Sequence, residues 1–247
     1  MKFDFELDEG NKARVNLGLI VLQVDETLEN EFRLALTSQN ISLYHTRIPS
    51  HPKVTKKTLV QMAQDLPAAA RLLPKSTSFD AIGYACTSGA TVIGPQVVAA
   101  KVHEHHPGVA VTDPISAVIA GCQALGINKL GVLTPYVPEV SKAMRELLEN
   151  NDLEVIGFGS FEQEEERVVS RITENSTLKA IVKIGQTNDC EAVFVSCTNL
   201  RTFGVLAEAE KTLRKPVISS NQALLWHLMR LASLKGREAA PGQLFYV

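Results

Sequence analysis

Short apolar runs rich in Val and Ile recur along the chain and alternate with longer segments of mixed polarity. The runs are LGLIVLQ (17–23), AIGYAC (81–86), VAVT (109–112), LGVLT (130–134), AVFVSC (192–197) and PVISS (216–220). Between them, the spacing of apolar positions predicts helices over 27–38, 55–72, 91–105, 114–124, 138–150, 163–185, 203–213 and 221–233. Apolar strands separated by helices predict parallel sheet covered on both faces, because each crossover helix must pack on one of them. Thr55, Asp113 ahead of Pro114, and Asn221 stand where helix starts need a capping side chain.

The same elements occur twice in the same order. LGLIVLQVDETLENEF matches KLGVLTPYVPEVSKAM, FDAIGYACTSGA matches CEAVFVSCTNLRT, and VAVTDPISAVI matches KPVISSNQALL. Gly18 falls against Gly131 and Cys86 against Cys197, offsets of 113 and 111 residues. The duplication predicts an α/β fold of two pseudo-symmetric lobes, each a mostly parallel sheet flanked by helices, with the active site in the cleft between them. A single eight-stranded sheet is the alternative arrangement. The expected boundaries are 1–113 for the first lobe, completed by 220–247, and 114–219 for the second.

Composition narrows the function classes. With 45% hydrophobic and 21% charged residues, the 247-residue chain can bury a sizeable core. A net charge of −2, with its longest charge run in the acidic Glu162 to Arg167 stretch, argues against a nucleic-acid partner. The opening MKFDFELDEGNKARVN lacks the apolar core of a signal peptide, and no 18 apolar residues run together, so a cytosolic protein that does not span a membrane is expected. The four cysteines, at 86, 122, 190 and 197, fall short of a disulfide scaffold and form no CxxC. His103 to His106 (HEHH), followed by Pro107 and Gly108, reads as a helix C-terminus, not a metal site. No dinucleotide fingerprint, phosphate-binding loop or lysine-centred cofactor motif is present, so neither an organic cofactor nor a metal is expected.

Two cysteines carry the candidate chemistry. Each stands where an apolar strand runs out, in Cys86-Thr87-Ser88-Gly89-Ala90 and in Cys197-Thr198-Asn199-Leu200-Arg201. A thiol there meets unpaired N–H groups and the positive end of a helix dipole, which favours thiolate. The same N–H groups, with the hydroxyls of Thr87, Ser88 and Thr198 and the amide of Asn199, are suited to holding a carboxylate or a developing enolate. A lone cysteine at a strand end is more often a small core residue. Two at matching repeat positions, each followed by Thr, have no explanation in packing. Cys122, Cys190, Trp226 and His227 are read as core, Asp113, Ser116 and Asn221 as capping residues, and Arg201 as a substrate ligand or a loop brace.

Duplicated α/β lobes with a Cys-Thr loop in each resemble the aspartate/glutamate racemase superfamily. Within it, ACTSGA (85–90), SCTNLRT (196–202), GLIVLQVDETLE (18–29), LTPYVPEV (133–140) and SSNQALLWH (219–227) are similar to maleate cis-trans isomerases and, more closely, to the related ectoine-utilisation proteins. The resemblance implies Cys86 as a thiolate nucleophile toward a double-bond carbon, Cys197 as acid/base, and Tyr136 as a hydrogen-bond donor to substrate. One departure bears on substrate. Where the isomerases read Pro-Ser-Ser-Asn-Thr, this chain reads Leu22-Gln23-Val24-Asp25-Glu26, and an anionic Asp25 repels a dicarboxylate or attracts an ammonium. In racemases of the superfamily one cysteine removes an α-proton and the other returns it from the opposite face, which suits this pair equally well. The expected protein is a cofactor-independent racemase or cis-trans isomerase of a small, amino-acid-like carboxylate, with an ectoine link and, by analogy, a homo-oligomeric assembly. A decarboxylase needing one cysteine and a non-catalytic ligand-binding protein are the alternatives.

Overall fold

In a computed structural model describing residues 1–8, 14–36, 40–234 and 240–247, each half of the chain forms its own four-stranded sheet. The first contains β1 (Val15–Leu22), β2 (Ile41–Ile48), β3 (Ala81–Ala85) and β4 (Ala110–Thr112) in the order β2-β1-β3-β4. The second contains β5 (Lys129–Thr134), β6 (Glu154–Ser160), β7 (Ala192–Val195) and β8 (Val217–Ser219) in the order β6-β5-β7-β8. All six strand pairings are parallel. The identical order in the two halves is the structural form of the sequence repeat, and it replaces the eight-stranded alternative.

The central strands follow from their composition. In β1 all but Val15 are buried, and every residue of β3 and β7 is buried, so both faces are covered as a continuous apolar run demands. Each fully buried Leu, Ile or Phe contributes roughly 1.5–3 kcal/mol. The sequence pattern misses β2 and β6. Both are edge strands with one flank unpaired. ISLYHTRI in β2 carries polar residues on its exposed positions, and EVIGFGS in β6 is only partly buried and broken by two glycines, so neither reads as an apolar run.

Helices cover the sheets: α1 (Leu28–Ala35), α2 (Lys56–Ala70), α3 (Thr87–Ile93), α4 (Pro95–His103), α5 (Pro114–Leu125), α6 (Pro138–Glu149), α7 (Glu166–Val169), α8 (Glu174–Gly185), α9 (Phe203–Leu213) and α10 (Ser220–Leu231). Residues 37 and 38 of the first predicted helix, and 9–13 and 235–239 of the first predicted lobe, lie outside the described residues. The helix expected over 91–105 is two helices. Gly94, at φ +92, stops one, and Pro95 starts the next at its first position, where a missing N–H costs nothing. The helix expected over 163–185 is likewise divided, with Thr173 capping α8 through the N–H of Ser176. Among the described residues no helix is long and apolar enough to cross a membrane.

The two halves interlock. α10 follows the last strand of the second sheet yet packs on α5, β3, β4 and α1. Its cap is Ser219, whose hydroxyl accepts from the N–H of Gln222, in place of the expected Asn221. The Asn221 side chain instead donates to Glu31 and to the carbonyl of Thr198. Asp113 caps α5 through the N–H groups of Ile115 and Ser116, as its position ahead of Pro114 predicts.

Candidate active site between two cysteine turns

Because β3 and β7 hold the same place in their sheets, the turns that follow them meet. Cys86 is the residue ahead of α3. Its Sγ accepts from the N–H of Gly89 at 3.2 Å and lies 3.6 Å from the hydroxyl of Ser88. Gly89 is required there, since a Cβ would stand 2.5 Å from the Tyr84 hydroxyl and 2.9 Å from Cys86 Sγ. Cys197 follows β7 with φ +109, a conformation that a non-glycine residue holds at a cost on the order of 1–3 kcal/mol. Ser220 joins the turns: its hydroxyl accepts from the N–H of Cys197 at 3.0 Å and from the hydroxyl of Thr87 at 2.8 Å. The Thr198 hydroxyl in turn donates to the carbonyl of Ala85, the residue before Cys86. Tyr136, from the loop after β5, is fully buried beside both thiols and hydrogen-bonds Cys197.

The electrostatics correct one expectation. Burial dominates at both cysteines, which are 3% and 4% exposed: at Cys86 it outweighs the terminus of α3, and at Cys197 the expected helix terminus is absent, because the turn runs on to Thr202 before α9 starts at Phe203. It pushes the Cys86 thiol up to about 12, against the lowering effect of Ser88 and the Gly89 N–H, and the charge of Glu166 adds to the rise. Cys197 lies well above the usual thiol range, again through burial first and Glu166 second. Both therefore rest as thiols. An α3 of seven residues ending in a dry site offers too little positive potential to offset the loss of hydration.

Of the other predicted site residues, several already have partners within the protein. Asp25 Oδ1 accepts from the N–H groups of Thr27 and Leu28 and so caps α1, whose Thr27 makes no side-chain cap. Asp25 Oδ2 is buried without a hydrogen-bond partner, near the Thr198 side chain. Burial raises the pKa of this carboxyl. Asn199 accepts from the N–H of Glu26 at 2.9 Å and donates to Glu166 Oε2 at 2.9 Å, so it ties three loops together and does not cap a helix. Arg201 donates to the carbonyl of Ile172 as a loop brace. His103 and His106 bond the carbonyls of Val109 and Ala70, and His227 bonds the Thr112 hydroxyl.

Glu166 was missed by the sequence reading. It belongs to the acidic stretch that the sequence marks only as the longest charge run, yet it is 5% exposed and close enough to raise the pKa of both thiols. Backbone pairing turns it inward: Val54 donates to the Glu164 carbonyl and Glu166 to that of Pro52, which clamps the loop after β6 to the one after β2. Burial pushes Glu166 up to about 7, partly offset by Asn199 and reinforced by Asp25. A carboxyl raised from 4.5 makes the folded state bind more protons than the unfolded one, so its contribution to stability falls as pH rises from 4.5 through 7. Thermal unfolding should therefore show Glu166→Gln gaining on the wild type between pH 5 and pH 8, by on the order of 2 kcal/mol. A difference between the two proteins that is constant with pH would contradict this assignment.

Two parallel α/β sheets in repeated order, each delivering a buried Cys-Thr turn to one shared site, define the class of this protein. The chain belongs to the arylmalonate decarboxylase family, which it matches over residues 54–245. It is 28% identical over 136 residues to the arylmalonate decarboxylase of Bordetella bronchiseptica, a match spanning 56% of that protein, or about half its length. It is 22% identical to the maleate isomerase of Geobacillus stearothermophilus, over 89% of this chain and 92% of the other. The maleate isomerase of Pseudomonas putida S16, solved with maleate, superimposes with a TM-score of 0.85 at 22% identity, over 94% of this chain and 97% of that one. A cysteine-to-serine variant of the Nocardia farcinica maleate cis-trans isomerase, solved with a covalently bound succinylcysteine intermediate, has a TM-score of 0.82 at 20% identity and covers 94% and 98% of the two chains.

Proposed function

We propose that this chain is a cofactor-independent isomerase of a small carboxylate, with Cys86 and Cys197 as its two reacting thiols. The observation that carries the reading is the joining of both Cys-Thr turns at the Ser220 hydroxyl, which sets two buried thiols and the Tyr136 phenol around one site. The substrate carboxylate is held by the Ser88 hydroxyl and by the N–H groups of Thr87 and Ser88, which open α3 and have no acceptor within the helix, while the Thr87 and Thr198 hydroxyls already donate to Ser220 and to the Ala85 carbonyl and brace the two turns. In cis-trans isomerisation the Cys86 thiolate adds to one carbon of the double bond. The electron pair moves onto the carboxylate side, the resulting single bond rotates, and breakage of the C–S bond restores the alkene. In racemisation one thiolate takes the α-proton and the other thiol returns a proton to the opposite face. The covalent cysteine adduct in the N. farcinica relative favours the first route. The resemblance of the segment around Asp25 to ectoine-utilisation proteins favours the second, on an amino-acid-like substrate. Decarboxylation requires a proton donor on one face only, and a second matched cysteine is then without a task.

Incubating the protein in D₂O with maleate, and separately with each enantiomer of N-acetyl-2,4-diaminobutyrate, and following the products by NMR tests the reading. Fumarate, or α-deuteration with inversion, is the expected result, and the product seen decides between the two routes. No turnover of any of these compounds, alongside measurable ligand binding, would leave a binding protein as the better description.

A further inference from the structure

We propose that Asp25 and Glu166 together form a cation-accepting end of this site, so that the substrate carries an ammonium group as well as its carboxylate. The inference rests on the isomerase reading for the position of the carboxylate, and it deepens that reading by assigning the other end of the ligand.

Five carboxylates are buried among the described residues: Asp25, Glu31, Asp113, Glu166 and Glu210. Three are fully occupied. Glu31 spends Oε1 on the N–H groups of Thr202 and Phe203 and Oε2 on Asn221. Asp113 spends Oδ1 on the N–H groups of Ile115 and Ser116 and Oδ2 on the Ser116 hydroxyl. Glu210 uses Oε1 for the N–H groups of Val217 and Gln243, and Oε2 for Gln243. Asp25 and Glu166 differ. Asp25 Oδ2 is enclosed with no partner, and Glu166 is engaged through Oε2 alone, by Asn199. These are also the two acids whose charge bears on Cys197 and on each other. A buried acceptor with no donor is costly to the folded chain, and such a cost persists where a ligand removes it.

Among the described residues no cation forms an ion pair with either acid, and the charge of Arg47 only partly offsets the burial of Asp25. Among the described residues no Lys, Arg or His is buried. Arg47 caps the carbonyls of Leu22, Gln23 and Asp25 and pairs with Glu29, and Arg171 pairs with Glu26 at 3.5 Å; both side chains are exposed. Two carboxylates and two thiols thus share a desolvated site in which a second substrate carboxylate would add to the repulsion, whereas an ammonium would meet an open acceptor on Asp25. The same ammonium would offset the Glu166 charge that adds to burial in favouring the thiol form of both cysteines, so that the fitting ligand eases formation of the thiolate it reacts with.

The test compares ligands that differ in one charge. Calorimetric titration with 2-aminobutyrate enantiomers, 4-aminobutyrate, butyrate and succinate is expected to show at least one aminated compound binding tenfold or more tighter than butyrate, and succinate weakest. Asp25→Asn keeps the Oδ1 acceptor that caps α1, and Glu166→Gln keeps an acceptor for Asn199. Each should cost the aminated ligand at least tenfold, leave butyrate unchanged and improve succinate. Failure of every aminated compound to bind more tightly than butyrate, or a preference for succinate, would overturn the proposal, as would variants with unaltered selectivity. Repeating the titrations with the Cys86→Ala/Cys197→Ala double variant separates the two readings. Selectivity that persists there upholds the cationic end even where the isomerase activity proves absent.

Discussion

On the proposed reading, replacing Cys86 or Cys197 by alanine is expected to lower turnover at least about 10³-fold, because each change removes one of the two reacting thiols and nothing nearby can substitute for it. Tyr136, the closest alternative, has its phenol pushed well above its ordinary range by burial and by the thiols themselves, which makes it a hydrogen-bond donor and a poor base. The fold should survive. A sulfur is lost from sites that are otherwise tied by backbone bonds, the Cys197 N–H to Ser220 and the Cys86 carbonyl to Ala90. Cys122→Ala and Cys190→Ala serve as controls. Cys122 lies in the apolar face of α5, and Cys190 spends its thiol on the carbonyl of Ala192, so both should retain turnover within a few-fold. Either active-site variant retaining a tenth of wild-type activity in a steady-state assay would remove that thiol from the mechanism.

Glu31→Ala should be strongly destabilising, by about 3–5 kcal/mol, because several buried donors lose their acceptor at once. Glu31 belongs to α1 in the first half of the chain, but its carboxylate sits at the start of α9 in the second, on the N–H groups of Thr202 at 2.6 Å and Phe203 at 2.9 Å. It also receives the Asn221 amide at 2.6 Å. Thr202 makes no side-chain cap of its own, so α9 is capped across the lobe boundary. Burial pushes Glu31 up to about 7, but every surrounding group is a donor and only the charged form satisfies them all. Removing it takes the acceptor from four donors, the N–H and hydroxyl of Thr202, the N–H of Phe203 and the amide of Asn221, and leaves Asn221 held by the Thr198 carbonyl alone. At roughly 2–4 °C per kcal/mol for a chain of this size, calorimetry should record a fall in Tm on the order of 10 °C. A fall of less than 2 °C would mean that the lobes are held by other contacts.

How much of this was legible beforehand depended on the range over which each interaction acts. The inner strands, the repeat and the meeting of the Cys-Thr turns follow from apolar runs and from two short motifs, all of which are local patterns. The edge strands β2 and β6 escaped because a strand paired on one side can carry Arg47, His45 or Gly157 without penalty, so its sequence loses the apolar signature. Glu31 and Glu166 escaped for a different reason. Their partners lie 171 and 33 residues away, and only the folded chain shows that one acid of the Glu162 to Arg167 run turns inward while its neighbours face water. The thiolate expectation failed on magnitude: the N–H groups stand where predicted, but burial is the larger effect.

With Cys86 and Cys197 as the proposed reacting pair, each delivered from the end of the same strand in the same sheet order, a planar reaction centre between them meets a thiol on each of its two faces. On the proposed reading neither direction is privileged by the protein, and the ratio of ligand forms it leaves behind is set by their own free energies. The likeness stops at the loops that follow β1 and β5, one bringing Asp25 and the other Tyr136. Descent from one ancestral lobe would thus explain a catalyst that tells the head of its ligand from the tail while remaining indifferent to left and right.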